Sequence, residues 1–149
     1  MTLTLSALFD SIAAVLTSHF SVPVYASPTQ QATVYPCFFL TLMPSSTTPQ
    51  VYDAMMREIN IDVTYIQQRN VPNGNAELRD VVDFLDENLA LIPYTDEDGE
   101  TGYIHCLTRD YSIEDQEMHY KIRVKQRLIS ERDETLMQTL ESENIDVES

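Results

Sequence analysis

The sequence predicts an α+β domain: a mostly antiparallel sheet with two amphipathic helices on one face and a short C-terminal helix. Three observations carry this. Segments 5–20 and 76–89 each place apolar residues on one stripe at helical spacing. Segments 57–66 and 117–128 alternate polar and apolar residues with period two, the pattern of a half-buried strand. The order of segments is helix, three strands, helix, hairpin, strand and short helix, which groups strands as antiparallel sheets do.

Each element has its own signal. Leu5, Leu8, Phe9, Ile12, Val15, Leu16 and Phe20 form the stripe of the first helix, with Thr4 or Ser6 as its cap. "SVPVYA" is a short strand whose Pro23 suits an edge or a strand start. "SPTQQATVYP" reads as a loop. "CFFLTLMP" is almost unbroken apolar sequence, which predicts a central strand buried on both faces. "PSSTTPQ" reads as a polar loop bracketed by Pro44 and Pro49. Its Ser45, Ser46, Thr47 and Thr48 are either a contact element or an ordinary surface turn.

In the next strand Ile59, Ile61, Val63 and Tyr65 point one way, and Glu58, Asn60, Asp62 and Thr64 the other. Its start, "YDAMMRE", would tolerate helix, but the alternation after Arg57 favours strand. Leu78, Val81, Val82, Leu85 and Leu89 mark the second helix, with Asn75 as the expected cap. "ALIPY" and "YIHCLTR" flank an acidic turn, with Gly99 and Gly102 supplying turn geometry. "DYSIEDQE" is a connection or the frayed start of the last long strand. Ser130 and Asp133 suggest the cap of a short helix, followed by an acidic tail. The domain reading is therefore one α+β unit over 1–129 and an acidic helix and tail over 130–149.

Composition narrows the function. A chain of 149 residues buries roughly 70% of its unfolded surface, enough for one core without staples. Its formal charge is −15, with 24 Asp and Glu against nine Lys and Arg. Such a protein repels nucleic-acid phosphates and anionic lipid, so a basic partner surface or self-assembly with matched charge fits better. Cys37 and Cys106 lie in apolar runs and read as buried small hydrophobes rather than a disulfide. The N-terminus lacks a basic region and Asp10 interrupts its apolar run, so it does not read as a signal peptide. No stretch approaches a membrane span, and the expectation is a soluble protein made in a cytoplasm.

No catalytic, cofactor or metal constellation emerges. His105 and Cys106 are adjacent, so a strand points them to opposite faces. His119 sits among cations, and His19 ends a helix. Asp83, Asp86 and Glu87 have no acid–base partner and read as a solvated helix face. "DEDGE" fails the calcium-loop spacing, and no nucleotide-binding or nucleophile motif occurs. Neither an enzyme nor a cofactor is expected.

One pattern stands against the acidic background. In "EMHYKIRVKQRLIS", Lys121, Arg123, Lys125 and Arg127 occupy alternate positions, four of the nine cations of the chain. Met118, Tyr120, Ile122, Val124 and Leu128 fill the opposite face. Two readings stand side by side. The cations pair with Glu58 and Asp62 across a ladder within the chain, or they meet a partner subunit.

"YPCFFLTLMPSS", the strand ending "INIDVTYIQQ", the helix "NAELRDVVDFLDENLALI" and "MHYKIRVKQRL" before an acidic tail resemble the phage tail terminator family. The resemblance spans about residues 1–140, and "PCFFLTLMPSS" is its most specific part. The similar members occur in contractile-tailed phages, defective prophages and phage-derived bacteriocins of Gram-positive bacteria. The resemblance implies no catalytic residue. It implies a structural protein of the virion or bacteriocin tail, made in the host cytoplasm. Such a protein forms a homohexamer ring that caps the head-proximal end of the tail tube. The implied partners are the tail tube protein, the tail sheath protein and a neck, collar or head–tail connector protein. No membrane and no sequence-specific nucleic acid is implied, and DNA is free to pass through the ring lumen. Two other classes stay open: a different head–tail connector, and a regulatory nucleic-acid-binding module using the basic strand.

Overall fold

The computed structural model describes residues 3–26, 34–68 and 74–129. In chain order they form α1 (Leu5–His19), β1 (Val24–Tyr25), β2 (Cys37–Pro49), a single 3₁₀ turn (Val51–Asp53), β3 (Ala54–Ile66), α2 (Gly74–Asn88), β4 (Leu91–Thr95), β5 (Thr101–His105), β6 (Thr108–Glu114) and β7 (Glu117–Ile129). The fold is α+β. A five-stranded sheet runs β1-β2-β3-β7-β6, and β4 and β5 form a separate two-stranded sheet. All pairings are antiparallel except that of β1 with β2.

The period-two patterns decide the register. Ile59 lies opposite Val124, Ile61 opposite Ile122, Val63 opposite Tyr120 and Tyr65 opposite Met118. All eight are buried and share one core with Leu8, Ile12 and Leu16 of α1 and with Leu78, Val81, Val82 and Leu85 of α2. A one-residue slip of either strand would turn its whole apolar set outward, so burial enforces this pairing. Thr4 is the cap of α1; its Oγ1 accepts from the Ala7 amide at 3.2 Å. His19, in the last turn of α1, stacks on Phe84 of α2 with ring centroids 4.2 Å apart. Phe20 packs on both Phe38 and Phe84, joining the end of α1 to β2 and α2. Cys37 and Cys106 are free and buried.

Four expectations are corrected. "PSSTTPQ" is not a loop: β2 continues through it, with Ser46 opposite Glu58, Thr47 opposite Arg57, Thr48 opposite Met56 and Pro49 opposite Met55. Pro44 has no N–H to give the ladder, so the register shifts between Met43 and Ser46 in a bulge. Asn60 holds that bulge, its amide donating to Ser45 Oγ at 3.0 Å and its Nδ2 to the Pro44 carbonyl at 2.9 Å. The true connection is the 3₁₀ turn, where Tyr52 adopts φ 62° and the Gln50 amide donates to the Ala54 carbonyl at 2.7 Å.

The "central" strand is central only at its start. β1 pairs with Phe38 and Phe39 alone, and beyond them β2 is an edge whose Thr41 and Leu42 are exposed. The second helix starts at Gly74, so Asn75 lies inside its first turn rather than at its cap. Gly102 sits within β5 opposite Tyr94; the turn relies on Gly99 at φ 85° and on Asp96, whose Oδ1 accepts from the amides of Asp98 and Glu100 at 3.0 and 2.8 Å.

The remaining open choice is also settled. "DYSIEDQE" contains most of a full edge strand, β6, joined to β7 through Asp115 and Gln116 at φ 46° and 67°. Positive φ at both central residues is the two-residue hairpin turn that matches strand twist. The weak apolar content of β6 hid it, because an edge strand packs on one side only. The short C-terminal helix, with Ser130 and Asp133, lies outside the described residues, as do residues 27–33 of the first loop.

Candidate interaction face

The face of the large sheet turned away from the core collects the polar half of each alternating strand. Residues directly opposite in a ladder share a face. Across β6, β7, β3 and β2 this gives a row Asp110–Lys121–Asp62–Thr41 and a row Thr108–Arg123–Asn60–Met43. Beyond the end of β6 come Lys125–Glu58–Ser46 and Arg127–Met56–Thr48. The expected residues Lys121, Arg123, Lys125, Arg127, Glu58 and Asp62 therefore stand on one surface. Ser46 and Thr48 join them. Ser45 sits in the bulge, and Thr47 points to the opposite side of the sheet.

The two cation readings divide residue by residue. Arg123 is satisfied within the chain: its Nε lies 3.0 Å from Glu58 Oε1 and 3.3 Å from Asn60 Oδ1. His119 is likewise held, with Nδ1 3.1 Å from Asp62 Oδ2 and 3.2 Å from Thr64 Oγ1, and Nε2 3.2 Å from Glu117 Oε2. Asp62 is buried; its Oδ1 has no hydrogen-bond partner among the described residues. Lys121, Lys125 and Arg127 are exposed, and none of them lies within ion-pair distance of a described carboxylate. Lys121 is flanked in register by Asp62 and Asp110, which offer it local neutralisation. Lys125 and Arg127 stand where the sheet has outrun its helices, Lys125 in register opposite Glu58, whose carboxylate Arg123 holds.

That overrun escaped the sequence reading. Burial along β3 and β7 stops at Ile59 and Val124, except for Ala54 at the far end. The rest of the β2–β3 hairpin, with the end of β7, forms a three-stranded tongue about 16 Å long at 3.3 Å per residue. Its tip is apolar and exposed: Tyr52 is 85% accessible, Val51 71% and Met55 43%. The signal that could have found it is "QVYDAMM", an apolar cluster placed directly after a polar Ser/Thr tract.

The titratable groups inside the core have structural partners. Tyr65 donates to Glu77 Oε1 at 2.5 Å and Tyr120 to Asp86 Oδ1 at 2.6 Å. Burial first, and then these carboxylate bonds, hold both phenols well above their ordinary range. Burial pushes the Cys106 thiol up to about 11 and raises that of Cys37, which keeps both neutral. Among the described residues no group of three or more His, Cys, Asp or Glu is placed to hold a metal, and no helix is long and apolar enough to cross a membrane.

The described residues thus combine a polar sheet face, three exposed cations with no described carboxylate within ion-pair distance, and a protruding apolar tip. A family model described as phage tail terminator protein matches residues 7–136. No curated protein matches the chain.

Proposed function

This chain belongs to the phage tail terminator family, a family of structural tail proteins, and from that premise we propose that it caps the head-proximal end of the tail tube. In this reading six copies form a ring that stops tube and sheath growth and presents a surface to the neck or collar. The observation that carries it is the pair Lys125 and Arg127, exposed on the tongue with no carboxylate of the described residues within ion-pair distance, in a chain of charge −15. Exposed cations at the end of a sheet, within an acidic protein, are suited to an acidic surface on a neighbouring subunit.

A cyclic ring needs two different patches on each subunit, one complementary to the other. The cations of β7 provide the first. Exposed acids provide the second, among them Asp80, Asp83 and Glu87 of α2. Such pairs set register and specificity more than affinity. Free DNA is a poor alternative partner, because the charge of the whole chain opposes phosphate before the strand can dock.

The test is the variant Lys125→Glu/Arg127→Glu in assembling tails. Its melting curve should match that of the parent, while electron microscopy should show tubes of irregular length with reduced terminator occupancy. Tails of normal length, capped at parental occupancy, would refute charge matching on this face. A sixfold density of this protein at the tail end is expected in either case, and another symmetry there would refute the ring itself.

A further inference from the structure

The tongue tip has an apolar hollow to match it on the same chain, in a place it cannot reach. Val51, Tyr52 and Met55 project at the far end of the hairpin. Near its base, where β2 leaves the shelter of β1, Leu42 is 45% exposed. There it lines a hollow of about 350 Å³ with Leu5, Ser6, Phe9 and Asp10 of α1 and with Ala26. Leu42 lies opposite Ile61 and Pro49 opposite Met55, so the strand between them holds tip and hollow roughly 20 Å apart at 3.3 Å per residue. A strand within a paired ladder does not fold back on itself, so the tip cannot fill its own hollow.

The tongue face turned from the core carries Lys125 and Arg127, with Glu58 already engaged by Arg123 and Asp53 following Tyr52 in the sequence. Arg57 lies on the other face and lines a smaller hollow with Leu5 and Leu42. Among the described residues the larger hollow is lined by one charged group, Asp10. Asp10 also edges the neighbouring groove between α1 and the β4–β5 hairpin, together with exposed Glu97. The edge of β2 beside the hollow is protected against simple strand addition, since Pro44 and Pro49 offer no N–H. Side chains, rather than a continued ladder, must then make the contact.

We propose that the tongue tip of one copy seats Tyr52 in the Leu5–Phe9–Leu42 hollow of the next copy, with Lys125 and Arg127 of the tongue toward Asp10. Knob and hollow lie at different places on the subunit, so the contact is heterologous and propagates head to tail. This rests on the ring proposed above and names the surfaces that close it. A rigid aromatic anchor in a pocket, rimmed by charge, is the arrangement that concentrates binding free energy at interfaces.

The experiment is cysteine cross-linking of the full chain in assembled tails, using Tyr52→Cys/Leu42→Cys and the two single variants. The native thiols are buried and neutral, so they compete poorly for oxidant. The double variant should give a ladder of this chain up to the full ring on mild oxidation, and each single variant should stay monomeric. Dimers from a single variant, or cross-links to a tube or sheath protein alone, would overturn the proposal. So would a sixfold ring that gives no ladder, and this outcome would leave the terminator reading intact. A closed ladder of some other number would support the contact and reject the sixfold ring. As an independent readout, Tyr52→Asp should lower terminator occupancy at least tenfold without shifting the melting curve; unchanged occupancy would overturn the proposal.

Discussion

Tyr120 and Asp86 join the basic strand to the second helix: the Tyr120 hydroxyl donates to Asp86 Oδ1 at 2.6 Å from within the core. Arg109 of β6 reaches the same residue, its Nη1 donating to the Asp86 carbonyl at 2.6 Å. A buried phenol needs such a partner, since an unpaired hydroxyl carries a desolvation cost. The bond fixes β7 from beneath while its other face carries Lys121, Arg123, Lys125 and Arg127. Polar face and core thus share one strand, so a substitution on one face leaves the other face's contacts in place.

Removing the phenol oxygen tests that anchor. Tyr120→Phe should cost about 0.5–1.5 kcal/mol, because one hydrogen bond is lost while half-exposed Asp86 regains water. In a chain of this size that is a fall of roughly 2–5 °C in melting temperature. An unchanged melting curve would show that the bond contributes nothing net.

Alkaline pH should destabilise the fold through the same group and through Tyr65. Both phenols are raised well above their ordinary value of 10.0 in the folded chain. Below about pH 10 they are neutral in both states and add no pH dependence. Above it the unfolded chain ionises first and holds fewer protons than the folded one, so stability falls as pH rises. Each tyrosine contributes a slope of up to about 1.4 kcal/mol per pH unit. Urea denaturation across this range should show the loss; Tyr65→Phe/Tyr120→Phe should remove the tyrosines' share and leave the part due to the raised thiols of Cys37 and Cys106.

The Arg123–Glu58 pair should behave as a surface ladder contact. Arg123 is about half exposed, so solvent screens it, and Arg123→Glu should cost the monomer only about 0.2–1 kcal/mol. Reversing both residues, as Arg123→Glu/Glu58→Arg, should restore most of that loss. A double reversal no better than the sum of the singles would show the two side chains to be uncoupled.

Core and face should separate cleanly in a paired comparison. Ile61→Ala removes a fully buried side chain at the centre of the sheet and should cost about 2–5 kcal/mol. Lys125→Glu, on the exposed face of the neighbouring strand, should stay within about 0.5 kcal/mol. Equal losses, measured by chemical denaturation, would mean that the outer face is part of the folding core.

How much of this was legible follows from how local each signal is. The helical stripes of α1 and α2 and the alternation in β3 and β7 were all readable, because a side chain's direction repeats with the backbone period. The shared face of Glu58, Asp62 and the β7 cations was readable as one of two alternatives, since opposite charges on alternating strands suit a ladder. The tongue was misread. Serine, threonine and proline signal a turn locally, yet Ser46 to Pro49 are held as strand by hairpin pairing with Met55 to Glu58, which β7, far along the chain, pairs on the other side.

By itself the sequence determined the fold class, the buried half of each long strand and the acidic balance that makes Lys125 and Arg127 conspicuous. It also carried the family, through segments such as "PCFFLTLMPSS". Only the tertiary structure decided which strands are neighbours, and so that Arg123 is spent on Glu58 while Lys125 and Arg127 are not. Only it showed that the sheet outruns its helices, leaving Tyr52 exposed far from the hollow beside Leu42. The physical reason is that periodicity reports which way one residue faces, whereas partnership and exposure depend on what distant segments bring to the same place.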